Sequence, residues 1–425
     1  MPAVRQNGHA LPCQVEKELS NLTLDWRKRV IFTAELEPSL MNRFDCNLEI
    51  LSQKPPFTLE PKDGSIHFQT DELEVSISTK TGLIDKYLVN GVDFIQPGAF
   101  QLLVMLDNED PWGMLVRSFR EVAGRFELMS PEQGTKFSGV TTGTLPPVRI
   151  IEDGPVRSVV EAVFEYGDSA ICQHYKLPKQ GTEIEIETRV YWFEKNRMLK
   201  LAIPTRGQNC GYLGQMAYGV AELPTNGDES VAHKWVAVIS DKDDLALTCI
   251  NEGIYGSDFS EDGLRLSLLR SPAYSGHPIE DRPIVPQERF LPRIDQGERL
   301  FRFWINAGPV TDRMKKIDRE ALVKNEKPTA LSFYPSGSGV KSHPGLCLSD
   351  DAVQVIAFKQ SEDGQGWIIR LFEHTGQSRS TILSLPCLSI EAQIELSPFE
   401  IKSLKIDLQT NSLIETNLME KEVCE

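Results

Sequence analysis

The sequence offers no run long and apolar enough to cross a bilayer, which takes about 20 residues as a helix. Its opening stretch, MPAVRQNGHALPCQVEKEL, lacks the apolar core of a secretory signal. The eight cysteines, Cys13, Cys46, Cys172, Cys210, Cys249, Cys347, Cys387 and Cys424, include no C-x-x-C pair. Scattered single thiols in a chain of this size read as reduced and partly buried, so the expected location is the cytoplasm. Basic residues are few: 45 Lys+Arg stand against 61 Asp+Glu, for a net charge of −16. Such a surface repels phosphates and anionic lipid, so neither nucleic acid nor membrane is an expected partner. A neutral sugar is not disfavoured. Histidine is scarce as well. The seven, His9, His67, His174, His233, His277, His343 and His374, form no close pair and no H-E-x-x-H motif. No metal site is therefore expected within the chain.

What the sequence does have is period-two alternation. Ile184, Ile186, Val190 and Trp192 fall on one face of a strand, with Glu183, Glu185, Glu187 and Arg189 on the other. Leu73, Val75 and Ile77 repeat the pattern, as do Phe301, Phe303 and Ile305, and Leu404, Ile406 and Leu408. Turn signals separate such runs: Lys62-Asp63-Gly64, Asn90-Gly91, Asn226-Gly227 and Glu261-Asp262-Gly263. Many short strands with frequent turns indicate an all-β chain of sandwiches or barrels. One segment, Thr311–Asn325, has helical spacing at Met314, Ile317, Leu322 and Val323. The Gly/Ser/Pro-rich stretch YPSGSGVKSHPG follows it and marks a boundary, and QKPPFT marks another. Residues after Leu408 read as a loose helical tail.

Several segments, in order, carry a resemblance to a known family. They begin with DGSIHFQTDELEVSISTKTGLIDKYLVNGVDFI, then IEDGPVRSVVEAVF and VYWFEKNRMLKLAIPT. KWVAVISDKDDLALTCINEGIYGSDFSEDGLRLSLLRSPAY and DQGERLFRFWINAGP follow, and WIIRLFEHTGQSRSTILSLPCLSIEAQIELSPFEIKSLKI closes the series. Together they resemble the C-terminal β-sandwich region of glycoside hydrolase family 38, the α-mannosidases. The resemblance implies a large super-sandwich like that of galactose mutarotase, flanked by smaller sandwich units. The expected division is a small β unit over 1–55, the super-sandwich over 56–310 and a helical linker over 311–329. A C-terminal sandwich over 330–408 and a tail over 409–425 complete it.

The same resemblance places the family's chemistry elsewhere, in an N-terminal barrel. That barrel holds a zinc ion on a His-x-Asp pair, an aspartate nucleophile and a further histidine. No histidine here is followed two residues later by Asp. No catalytic residue carries over, and zinc is expected only in the missing barrel. The implied role is the accessory, cleft-lining half of a glycosidase acting on α-mannosides, with a possible separately encoded catalytic subunit. A stand-alone carbohydrate-binding or scaffolding protein is the alternative. A mutarotase-like activity would need a His/Glu pair on a sheet face, but His174 and His233 stand singly in strand-like runs.

Two places offer the aromatic face and polar groups that bind sugars. One is a loop with prolines at 272, 278, 283, 286 and 292, containing Tyr274, His277 and Arg282. Loops beyond about 12–15 residues are uncommon unless functional or disordered, and proline restricts this one. Its acids, Glu280, Asp281, Glu288 and Asp295, lie among Arg282, Arg289, Arg293 and Arg299 and read as ion-paired staples rather than catalysts. The other place is Asp110–Arg117, where Trp112 sits in a turn-like setting with Arg117 behind it. The competing readings are a core or interface aromatic for Trp112 and a satisfied loop histidine for His277.

Overall fold

The structure is a computed structural model that describes residues 1–17, 28–53, 55–107, 117–207, 209–273, 288–332 and 342–423. Strands dominate. Among the described residues, α-helix is confined to Pro131–Phe137 and Val310–Asn325. The all-β expectation holds. A ten-stranded sheet contains, side by side, Arg157–Tyr166, Ser169–Pro178, Ile184–Trp192, Gly297–Gly308, Leu245–Asn251 and Trp235–Ser240. A six-stranded sheet is built round Gln101–Leu106, Arg197–Ile203 and Gly263–Arg270. A five-stranded sheet holds Leu73–Ser78 and Ile84–Val89. Side chains from all three enter one core, including Ile77, Tyr87, Leu102, Leu201, Ile186 and Phe303. This is the super-sandwich.

Alternation assigns each strand's two faces. Along Ser169–Pro178, Ile171, Gln173, Tyr175 and Leu177 are buried, while Cys172, His174 and Lys176 are only partly so. A polar residue on the core side must find partners. Gln173 donates to Tyr175 Oη at 2.7 Å and accepts from Thr188 Oγ1 at 3.3 Å, and Tyr175 donates on to the Gly82 carbonyl at 2.8 Å. Trp192, Trp235 and Trp304 are all buried.

The Val310–Asn325 helix covers part of the other face of the ten-stranded sheet. Ile317 and Ala321, one turn apart, pack with Trp235, Ala237, Ile250 and Trp304. Val323, which the spacing assigned inward, is exposed, and Ala321 takes the inward position. Buried Asp318 accepts from Trp235 Nε1 at 3.0 Å, Gln215 Nε2 at 2.5 Å and Gln354 Nε2 at 3.1 Å. One carboxylate thus ties the helix to the sheet below and to strand Val353–Gln360 of the C-terminal sandwich. That sandwich has its own core, including Leu371, Leu383 and Ile406. Its last strand, Ser412–Thr416, pairs with Ile401–Asp407, so the segment expected as a loose helical tail adds an edge strand instead. Leu413 packs on the sandwich core, and that burial outweighs the weak helical pattern.

Candidate functional site

The six-stranded sheet brings the roots of both sugar-site candidates to one edge. Leu106 pairs with Arg197, and Met198 pairs with Arg270, so the first strand and the third finish at the same end of the sheet, one on each side of Arg197–Ile203. Just past the first strand, Asp107 has no exposed side-chain surface. It receives Arg270 Nη2 on Oδ1 at 2.7 Å and Nε on Oδ2 at 3.1 Å. The Phe119 ring lies 4.6 Å from the guanidinium carbon, a cation–π contact that also excludes water. The proline-rich loop leaves this edge on a paired stem: Ala273 bridges Arg293, and the Ile294 amide donates to the Pro272 carbonyl at 3.3 Å.

Of the candidate sugar contacts, Arg117 is described. Its side chain is exposed, and its carbonyl accepts from the Glu229 amide at 2.6 Å. Trp112, Tyr274, His277 and Arg282 lie outside the described residues, as do Glu280 and Asp281. Arg293, expected to pair with a carboxylate, is instead held by Asn196 Oδ1 at 3.0 Å and the Leu291 carbonyl at 2.8 Å. Its extended stem faces amide and carbonyl acceptors at that point, not an acid.

Behind the edge lies a charged group that the sequence reading missed. Lys200 is fully buried on the Arg197–Ile203 strand and ion-pairs with both Asp258 and Glu229. Ser267 Oγ donates to Glu229 at 2.7 and 3.0 Å. Met105, Phe119 and Met198 form the apolar cover over this face. Burial pushes the Asp258 carboxyl upward, and Lys200 opposes that shift. The available signal was a lysine interrupting the apolar run Met198-Leu199-Lys200-Leu201. A charge in such a run is rarely buried without a partner.

The ten-stranded sheet corrects the view of His174 as solitary. A row of directly opposed residues crosses four strands: Glu161, His174, Glu187 and Arg302. His174 Nε2 lies 2.9 Å from Glu161 Oε2, and Nδ1 lies 3.5 Å from Glu187 Oε1. Lys176 binds Glu185 at 2.7 Å and Glu187 at 3.0 Å, and Arg302 binds Glu187 and Glu252, each at 2.9 Å. Burial alone would lower the His174 pKa, but contacts with Cys172, Glu161 and Glu187 raise it well above the ordinary value. Burial likewise opposes ionisation of Glu161, yet His174 and Arg149 hold its pKa at about 2. Opposite charges facing one another across strands explain why so many polar groups tolerate partial burial.

This row also brings metal-binding groups together. Donor atoms of Glu161, Cys172 and His174 all lie within 4.8 Å of one another. No motif spacing in the sequence pointed to this set. Cys172 and His174 are two apart on a strand and share a face, while Glu161 comes from the neighbouring strand, a placement no linear motif reveals. The set contains no aspartate and no His-x-Asp pair, so it does not fit the ligand pattern implied for the family's zinc.

Comparison with known proteins agrees with this architecture. Residues 68–286, more than half of the chain, match the glycosyl hydrolases family 38 C-terminal domain. Residues 352–425 match the family 38 C-terminal beta sandwich domain. Alpha-mannosidase G of Dictyostelium discoideum is 24% identical over 298 residues, covering 60% of this chain and 26% of that protein. Alpha-mannosidase 2C1 of Mus musculus is 24% identical over 233 residues, covering 52% and 21%. The chain thus spans about a quarter of the length of these relatives. The crystal structure of a family 38 protein from Enterococcus faecalis superposes with a TM-score of 0.68 at 15% identity, covering 95% of this chain and 52% of that one. An alpha-mannosidase from E. faecalis V583 gives 0.67 at 13% identity, covering 95% and 50%. The chain belongs to glycosyl hydrolase family 38, and its matched residues are the family's C-terminal domains.

Proposed function

We propose that these residues form the sugar-facing β half of a glycosidase acting on α-mannosides, with the bond-cleaving barrel and its zinc lying outside them. The observation that supports this reading is the Asp107–Arg270 pair, which joins the described strand ends next to the two candidate segments in sequence. Trp112, Arg117, Tyr274, His277 and Arg282 are the proposed sugar contacts on those segments and their flanks. The edge itself has no acid free for catalysis among its described core residues. Asp107 is held by Arg270, and Asp258 and Glu229 by Lys200. Glycoside hydrolysis needs two available carboxyl groups, about 5–9.5 Å apart. Among the described residues no helix is long and apolar enough to cross a membrane. The described cysteines are free thiols, which supports a cytoplasmic setting.

The test is hydrolysis of 4-nitrophenyl α-mannoside. We expect no turnover from this chain alone, with or without added zinc. Mixing with a family 38 barrel protein should raise turnover above that of the barrel alone. Turnover by the isolated chain would refute the division of labour. Heat released on titration with mannose oligosaccharides, with no gain on mixing, would favour a stand-alone carbohydrate-binding protein.

A further inference from the structure

We propose that Glu161, Cys172 and His174 form a binding site for a zinc-class divalent cation on the ten-stranded sheet. Cys172 and His174 project from one face of the Ser169–Pro178 strand, and Glu161 stands directly opposite His174 on Arg157–Tyr166. Cys172 Sγ lies 3.5 Å from His174 Nε2, and that nitrogen lies 2.9 Å from Glu161 Oε2. Tetrahedral zinc, with bonds of about 2.0–2.3 Å, separates its ligand atoms by roughly 3.3–3.6 Å. The two edges at His174 lie within about 0.5 Å of those values, and the third is no longer than 4.8 Å.

The surroundings match the support that metal ligands receive. With Nε2 on the metal, Nδ1–H faces Glu187 Oε1 at 3.5 Å, the carboxylate–imidazole arrangement that fixes ring orientation and tautomer. Glu161 is held through its other oxygen, Oε1, by Arg149 Nε at 2.6 Å. Thiolate and imidazole together favour zinc over magnesium or calcium. The Glu161 and His174 side chains are 14% and 16% exposed, which leaves a solvent-side approach for a fourth ligand.

Several charged groups face the site. Arg149, Lys176 and Arg302 are cationic, and Glu185 and Glu187 are anionic. The two neighbouring carboxylates, with a Cys172 thiolate and the Glu161 carboxylate as ligands, offset these cations.

The test uses metal-free protein and Co²⁺ alone as the probe. Stoichiometric uptake should give a thiolate-to-cobalt absorption and the visible bands of a tetrahedral ion, and Zn²⁺ should displace both. C172S should lose the thiolate band, and H174Q should weaken Zn²⁺ binding by at least about tenfold. Circular dichroism checks that each variant folds. If either does not, Zn²⁺ protection of Cys172 from alkylation, located by mass spectrometry in the wild type, gives the same answer. Absence of uptake in excess Co²⁺, an octahedral spectrum without thiolate absorption, or a band that persists in C172S would each overturn the site.

Discussion

Asp107 and Arg270 lie 163 residues apart in sequence and meet through two hydrogen bonds, of 2.7 and 3.1 Å, beneath the edge of the six-stranded sheet. The Asp107 side chain is fully buried, and that guanidinium offsets its charge. Truncating Arg270 to Ala takes away the guanidinium that bonds both oxygens of this buried carboxylate and should cost about 3–5 kcal/mol. Urea unfolding measures the loss. Combining R270M with D107N removes the carboxylate charge as well and should cost less than R270A; an equal or larger loss would contradict the pairing.

Lys200 carries the same logic with the signs exchanged. One fully buried ammonium serves two carboxylates, Asp258 and Glu229. K200M should destabilise by about 3–5 kcal/mol, since two acids then face each other with no cation between them. The double variant K200M/D258L removes one of those acids and should recover part of the loss. The check is a double-mutant cycle in denaturant; additive losses would show that the two residues do not interact.

Asp153 gives a pH dependence of definite sign. Burial would raise its pKa, but bonds from Leu59, Ser158, Lys179 and Thr58 outweigh burial and hold it well below the usual range. A depressed carboxylate stabilises the fold in full above its unfolded value of about 3.9, and that stability drains away as pH falls towards the folded value. D153N should therefore cost about 1.5–3 kcal/mol at neutral pH. The gap between variant and wild type should shrink as pH falls below 4. Urea midpoints across that range test this, and a gap that does not change with pH would count against it.

Gly263 tests a turn read from sequence. Its φ is +101°, and an added Cβ would sit 2.4 Å from the Ile203 carbonyl oxygen. G263A should cost about 1–3 kcal/mol through backbone strain alone, with the contact to the neighbouring strand adding to it. A thermal melt showing no loss would mean that the turn relaxes freely.

Local pattern made some of this molecule legible in advance. The alternation of Ile184, Ile186, Val190 and Trp192 named a core face, and all four are buried. Period two needs no partner to be read, because a strand's side chains alternate whatever it pairs with. The Glu261-Asp262-Gly263 turn follows for the same reason: only glycine sits easily at that φ. The helix was legible as an element but less so in orientation. Val323 and Ala321 exchange roles because the packing partner, Trp304 with its neighbours, selects the stripe. Ser412–Thr416 was misread because weak local preference yields to an available sheet edge.

By itself, the sequence determined the all-β class, the family and the faces of the principal strands, since each is written in composition, order and period. Only the tertiary structure decided which charges meet. Glu161 and His174 sit 13 residues apart, and Lys200 and Asp258 sit 58 apart. Strand register and sheet order bring them together, and those are set by the burial of side chains on the opposite face. An ion pair within a sheet is thus a consequence of packing elsewhere, and no spacing along the chain encodes it.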